Sequence, residues 1–168
     1  IHMQVPYRKP GKYAMMKSDP MLTVEKIKEL EAKLERLKNY SRPKGAEEVK
    51  RLAEFGDFSE NVEYQLAKGK LRGINSAITT IENQLKNATI IEPNSQHEVV
   101  QIGHQVTIEN EGKEKTYLIL GSTETDPQKG VISHVSPLGS ALIGKKIGES
   151  VELKIAGKGV CYKITKIE

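Results

Sequence analysis

The chain has 168 residues, enough for one domain or two small ones, with 29% charged residues, 5% aromatics and no Trp. That balance suits long solvated helices and a small core better than one large core. The net charge of +4 is unevenly spread: residues 1–20 hold four Lys/Arg against one Asp/Glu, residues 21–92 hold 13 against 12, and residues 93–168 hold 9 against 9. The body therefore lacks the broad basic surface that gripping duplex nucleic acid requires, and any nucleic-acid contact should be local.

Residues 1–20 read as a flexible N-terminal extension rich in Pro, Lys and Gly, with Ile1-His2 before Met3 resembling vector-derived residues. The basic residues there are followed by no apolar h-region, so no secretory signal is expected, and no run of 18 apolar residues predicts a membrane span.

From residue 21 to 92 the pattern is helical. Ile27, Leu30, Leu34 and Leu37 recur at spacings of 3, 4 and 3, and Leu71, Ile74, Ile78, Ile81 and Leu85 at 3, 4, 3 and 4. Each seam needs a partner, and the two supply each other as an antiparallel coiled-coil hairpin centred near Gly56-Asp57. Pro43 removes a backbone donor and should kink or interrupt the first helix. Val49, Leu52 and Phe55 then resume an apolar face that can meet Val62 and Leu66 near the tip.

The tip reads "GDFSEN", residues 56 to 61. Gly56 stands where a helix C-cap would be, and Asp57 at N-cap with Glu60 at N3 resembles a capping box. The same two carboxylates, three residues apart in a first turn, share one face and can jointly hold a hard divalent cation such as Mg²⁺. The two readings are compatible, and both stay open at this point.

Residues 93–168 change to period 2. "HQVTIEN" and "KTYLILG" flank "EGKE", "GVISHVS" forms a third strand, and "SVELKIA" and "VCYKITKI" flank "GKG". "SPLGSALIG" predicts a short helix with Ser136 as N-cap and Pro137 at its first position. The whole is an α+β chain: a coiled-coil hairpin followed by four or five antiparallel strands with one short helix. The single cysteine, Cys161, excludes an intramolecular disulfide and fits a reducing cytoplasm, and its apolar neighbours predict a buried strand thiol. His2, His97, His104 and His134 show no metal-ligand spacing.

"GDFSENVEYQLAKGK" closely resembles the tip motif of the bacterial Gre transcript-cleavage factors, and "ISHVSPLGSALIGKKIGESVEL" is similar to a second motif of that family. Arg42-Pro43 falls at the family's spacing before the tip, and Phe58 stands where Leu is usual. The similarity runs from about Met21 to Glu168, and the balanced charge leans to the GreA branch.

The resemblance implies an FKBP-like C-terminal domain that docks on bacterial RNA polymerase at its secondary channel, for which Ser136, Pro137 and Leu138 are the candidate docking residues. It implies that the hairpin enters the channel and stimulates the polymerase's own cleavage of backtracked RNA, so that the chain is not itself an enzyme. Asp57 and Glu60 would be the catalytic and metal-holding residues, sharing Mg²⁺ with the polymerase and binding none tightly alone. Gly56, Ser59, Asn61 and Tyr64 would support the tip. Lys68, Arg51, Lys50, Lys70 and Arg72 are candidates to contact the nascent RNA 3′ segment as one patch along the arm. A cytoplasmic monomer with no small-molecule substrate and no membrane partner is expected. The rival readings are a Gre-like inhibitor that occupies the channel, a plain coiled-coil adaptor, and a proline isomerase. The last would need an aromatic pocket, and residues after 92 offer only Tyr117 and Tyr162.

Overall fold

The computed structural model describes residues 18–56, 61–92 and 95–168. Helix α1 (Val24–Arg36) starts at Thr23, whose hydroxyl accepts the Lys26 N–H at 3.2 Å. Pro43 does not interrupt the chain's helical course. A five-residue π turn, Leu37–Ser41, precedes helix α2 (Arg42–Ala53), and Arg42 keeps right-handed helical angles. Pro43 comes just after the π turn, and that wider turn, in which the Arg42 N–H reaches back to the Leu37 carbonyl, accommodates the missing proline N–H within a continuous helical course. Helix α3 (Val62–Lys86) returns antiparallel.

At the base, Leu30 and Ile81 are buried with Leu22, and Ile27, Leu34, Leu37, Leu85 and Ala88 pack around them. Lys38 and Glu82 form an ion pair across the seam. Ile78, Leu52 and Ala67 continue the buried line toward the tip. The expected apolar face at the tip does not close: Phe55, Val62 and Leu66 are 73%, 70% and 60% exposed. Phe55 lies past the C-cap Glu54, so it leaves the helical stripe that would have faced α3.

Two short parallel strands, β1 (Met21–Leu22) and β2 (Thr89–Ile90), seal the open end of the hairpin. The Thr89 N–H donates to the Pro20 carbonyl at 2.7 Å and the Ile91 N–H to that of Leu22 at 2.8 Å.

The C-terminal half is a curled five-stranded sheet of β3 (Gln105–Asn110), β4 (Lys113–Leu120), β5 (Val131–Ser133), β6 (Ser150–Ile155) and β7 (Lys158–Ile167), in the order β5-β4-β3-β7-β6. It is mixed, not purely antiparallel as expected, because β5 runs parallel to β4. The cause is the connection: two 3₁₀ turns, Ser122–Glu124 and Pro127–Lys129, carry the chain back before β5 starts, as a parallel pair requires. Both hairpins are tighter than the sequence suggests, with two-residue turns at Glu111-Gly112 and Ala156-Gly157 whose φ values are all positive, matching the strand twist.

Helix α4 (Pro137–Leu142) packs on the sheet's inner face. Val106, Ile108, Ile119, Leu142, Val151 and Ile164 form the core there, each contributing about 1.5–3 kcal/mol when fully buried. Tyr117 and Tyr162 flank that core and border a recess of about 170 Å³ with Lys113 and Lys115. Cys161 is exposed, not buried. Tyr162 and Ile164 take the inward positions of β7, so the alternation turns Cys161 outward, opposite Glu152 of β6. His104 is buried, accepts the Gln101 N–H on Nδ1 at 3.2 Å, and lies 5.3 Å from the His97 ring. Among the described residues no helix is long and apolar enough to cross a membrane.

Candidate functional site

The tip segment lies at the turn between α2 and α3. Asp57, Ser59 and Glu60 fall outside the described residues, but both flanks are defined. Gly56 has φ +102°, a conformation glycine adopts readily and other residues only with strain. The N-cap of α3 is Asn61, whose side chain accepts the Tyr64 N–H at 3.0 Å. This corrects the capping-box reading: α3 starts at Val62, so Asp57 and Glu60 precede the cap and do not form it. The signal was available, since Asn is among the best N-cap residues and stands directly before apolar Val62.

The basic candidates do not form one patch. Tyr64, Lys68 and Arg72, four residues apart on α3, share a face and line a groove of about 360 Å³ with Val49 and Leu71. The Lys68 ammonium sits 5.2 Å from the centre of the Tyr64 ring, a cation–π contact. Arg51 and Lys70 line a different groove of about 320 Å³, together with Glu48 and Glu63. Arg51 donates to both oxygens of Glu48, at 2.9 and 2.8 Å. Those hydrogen bonds lead in holding the Glu48 carboxyl below its ordinary value and the guanidinium above its own. Lys50 is exposed on α2.

The docking candidates separate as well. Ser136 caps α4, accepting the Gly139 N–H at 3.1 Å and donating its own hydroxyl to the Ser133 carbonyl at 2.7 Å. Leu138 packs against the core, whereas Pro137 is exposed. Val135, which the sequence did not single out, is 64% exposed beside Pro137. The presented surface of this loop is thus Val135 and Pro137, with Ser136 and Leu138 beneath it.

Two family descriptions cover the hairpin and the sheet domain in turn: "Transcription elongation factor, N-terminal" matches residues 20–90, and "Transcription elongation factor, GreA/GreB, C-term" matches residues 95–168. The chain belongs to the GreA/GreB family of transcription elongation factors. It is similar to transcription elongation factor GreA of Bacillus subtilis, 41% identical over 148 residues that span 87% of this chain and 94% of the relative. It is also similar to GreA of Acetivibrio thermocellus, 43% identical over 150 residues, with 88% and 94% covered. GreA of Staphylococcus epidermidis is 45% identical over 150 residues, with 88% and 95% covered. Among solved structures, GreA factor homolog 1 of Thermus thermophilus matches with TM-score 0.40 and 24% identity, covering 88% of this chain and 97% of that one. A GreA/GreB factor from Nitrosomonas europaea matches with TM-score 0.40 and 19% identity, covering 87% and 96%.

In this Gre-family chain the hairpin and the sheet domain meet through specific bonds. Glu124 accepts the Thr23 N–H at 2.9 Å and its hydroxyl at 2.5 Å, so the N-cap of α1 is held from the C-terminal half.

Proposed function

We propose that this elongation factor acts on bacterial RNA polymerase in the cytoplasm, entering the secondary channel to stimulate the polymerase's own endonucleolytic cleavage of backtracked RNA and so rescue arrested complexes. The sheet domain docks at the channel rim through Val135 and Pro137, and the arm carries the tip inward. The observation that carries this reading is the separation of parts. A continuous helical course from Val24 to Ala53 spans about 45 Å at ~1.5 Å per residue, with the α2–α3 connection at one end and the sheet domain at the other.

Asp57 and Glu60 supply hard carboxylate oxygens, the donor chemistry Mg²⁺ prefers, and two carboxylates alone leave its remaining positions to other groups. Asp57 would hold the ion, and Glu60 would orient the attacking water. When bound, the ion supplies a nucleophile at neutral pH and offsets charge on the phosphate. Asn61 fixes where α3 begins, and Gly56, at φ +102°, turns the chain after α2. Lys68 and Arg72 face outward on one side of α3, suited to the phosphates of an extruded RNA 3′ segment.

The test is transcript cleavage in stalled, backtracked polymerase complexes carrying end-labelled RNA. Wild type should accelerate cleavage. Asp57→Ala and Glu60→Ala should bind the polymerase, keep their helical circular dichroism and fail to accelerate it. If wild type binds and does not stimulate, the chain is a channel-occupying inhibitor and this reading is wrong.

A further inference from the structure

Asp19 stands just ahead of the hairpin, yet its contacts reach the far half of the chain. Its side chain is 9% exposed. Oδ1 accepts the Met21 N–H at 3.0 Å. Oδ2 accepts the Ser122 N–H at 2.8 Å, the Ser122 hydroxyl at 3.0 Å and His134 Nε2 at 2.7 Å. Ser122 lies in the β4–β5 connection and His134 in the loop that follows β5, so one carboxylate ties the start of the hairpin to two separate segments of the sheet domain.

The bonds continue in one direction. Because the Ser122 hydroxyl proton is committed to Asp19, the 2.9 Å contact between Ser122 Oγ and Ser133 Oγ has Ser133 as donor. Ser133 Oγ in turn accepts the Val135 N–H at 3.2 Å. Every donor in this chain points toward the Asp19 charge, an alignment in which each bond polarises the next. Its far end is Val135, in the loop assigned above to docking. The carbonyl of Ser133 also accepts from the backbone and hydroxyl of Ser136, which anchors α4 to the same strand.

We infer that Asp19 is a positioning residue that fixes the direction of the hairpin relative to the Val135–Pro137 docking loop. The inference rests on the proposed function for its consequence, because a lever multiplies error. Over about 45 Å of helix, a rotation of about 10° at the base displaces the tip by about 8 Å. A misplacement of about 1 Å can already cost on the order of 100-fold in a chemical step. A charge shared by two domain segments resists that rotation better than apolar contact, since hydrogen bonds to a carboxylate are directional and strong.

The substitution that tests it is Asp19→Asn, which keeps shape but replaces one acceptor oxygen with a donor, so that an NH₂ group opposes either Ser122 and His134 or the Met21 N–H. The pair His134→Gln and His134→Leu separates geometry from packing, because Gln places an amide donor near the Nε2 position and Leu does not. Spin labels on native Cys161 and on Ser76→Cys of α3 report the angle directly in the isolated full chain. Wild type and His134→Gln should give one narrow distance distribution, and Asp19→Asn and His134→Leu a broadened or shifted one, all with wild-type circular dichroism. An unchanged distribution in folded Asp19→Asn overturns the inference.

In the cleavage assay, Asp19→Asn should lower the saturating rate about tenfold while the half-saturating concentration moves little. A broadened distribution with a wild-type saturating rate overturns the positioning role. A wild-type chain that stimulates no cleavage overturns the proposed function instead, and the label distances still decide whether Asp19 sets the angle.

Discussion

Gly121 lies directly against the backbone of Met21, and a Cβ built on it would overlap the Met21 carbonyl oxygen. This is where the end of β4 meets β1, so no flexible side chain can move aside to make room. Gly121→Ala should therefore destabilise the protein by about 1–3 kcal/mol, the usual cost of overpacking. Gly73→Ala is the matched control. It lies within α3 with nothing within 4 Å of its Cβ position, and should stabilise by ~0.5–1 kcal/mol. Urea unfolding of both variants checks the pair; equal effects would remove the proposed close approach.

Asp19 should make stability depend on acid pH. Burial pushes its carboxyl upward, but hydrogen bonds from the Ser122 and Met21 backbones, His134 and the Ser122 hydroxyl outweigh it and lower the pKa from 3.8 to about 2. A depressed folded-state value contributes stability that is fully present above the unfolded value of 3.8 and is lost as pH falls through about 2. Asp19 itself is nearly covered, but its partner Ser122 is exposed and His134 partly so, and with that screening the contribution is about 1 kcal/mol. The urea midpoints of wild type and Asp19→Asn should therefore differ at pH 5 and converge toward pH 2. A gap that stays constant across that range would contradict the assignment.

The hairpin seam was legible because a heptad is a local period: Leu30, Ile78 and Ile81 are buried as their spacing predicts. Ser136 was legible as a cap because "SPLG" is a local signal, confirmed by its bond to Gly139. What escaped the sequence depends on distance along the chain. The parallel direction of β5 is set by a long connection with no periodicity of its own. The Asp19–His134 bond joins residues 115 apart, and nothing in either neighbourhood marks the other. Cys161 shows how a local rule misleads, since flanking apolar residues are the inward set of the same strand and turn the thiol outward.

Asn61→Ala should cost about 1 kcal/mol of stability, the usual loss on removing a helix cap. Asp57→Ala should cost much less, because α3 is capped by Asn61. Thermal or urea unfolding of both variants separates capping from catalysis at the tip. If Asp57→Ala proves the more destabilising of the two, the carboxylate is structural and its loss of cleavage would no longer point to metal holding.

The division of basic residues predicts unequal effects on RNA. Lys68 and Arg72 share one groove with Tyr64, and among the described residues no carboxylate lines that groove. Arg51 is already held by both oxygens of Glu48, with Glu63 adding to the field on it. The Glu48 carboxylate offsets the Arg51 charge that a phosphate would meet, whereas among the described residues Lys68 faces the Tyr64 ring. Lys68→Ala and Arg72→Ala should each weaken cleavage stimulation several-fold and reduce its salt dependence, as expected when one phosphate contact is removed. Arg51→Ala should change stimulation less than twofold at the same salt. Cleavage rates of the three variants across a salt series decide the matter, and a larger loss from Arg51→Ala would place the RNA along the Glu48–Lys70 groove instead.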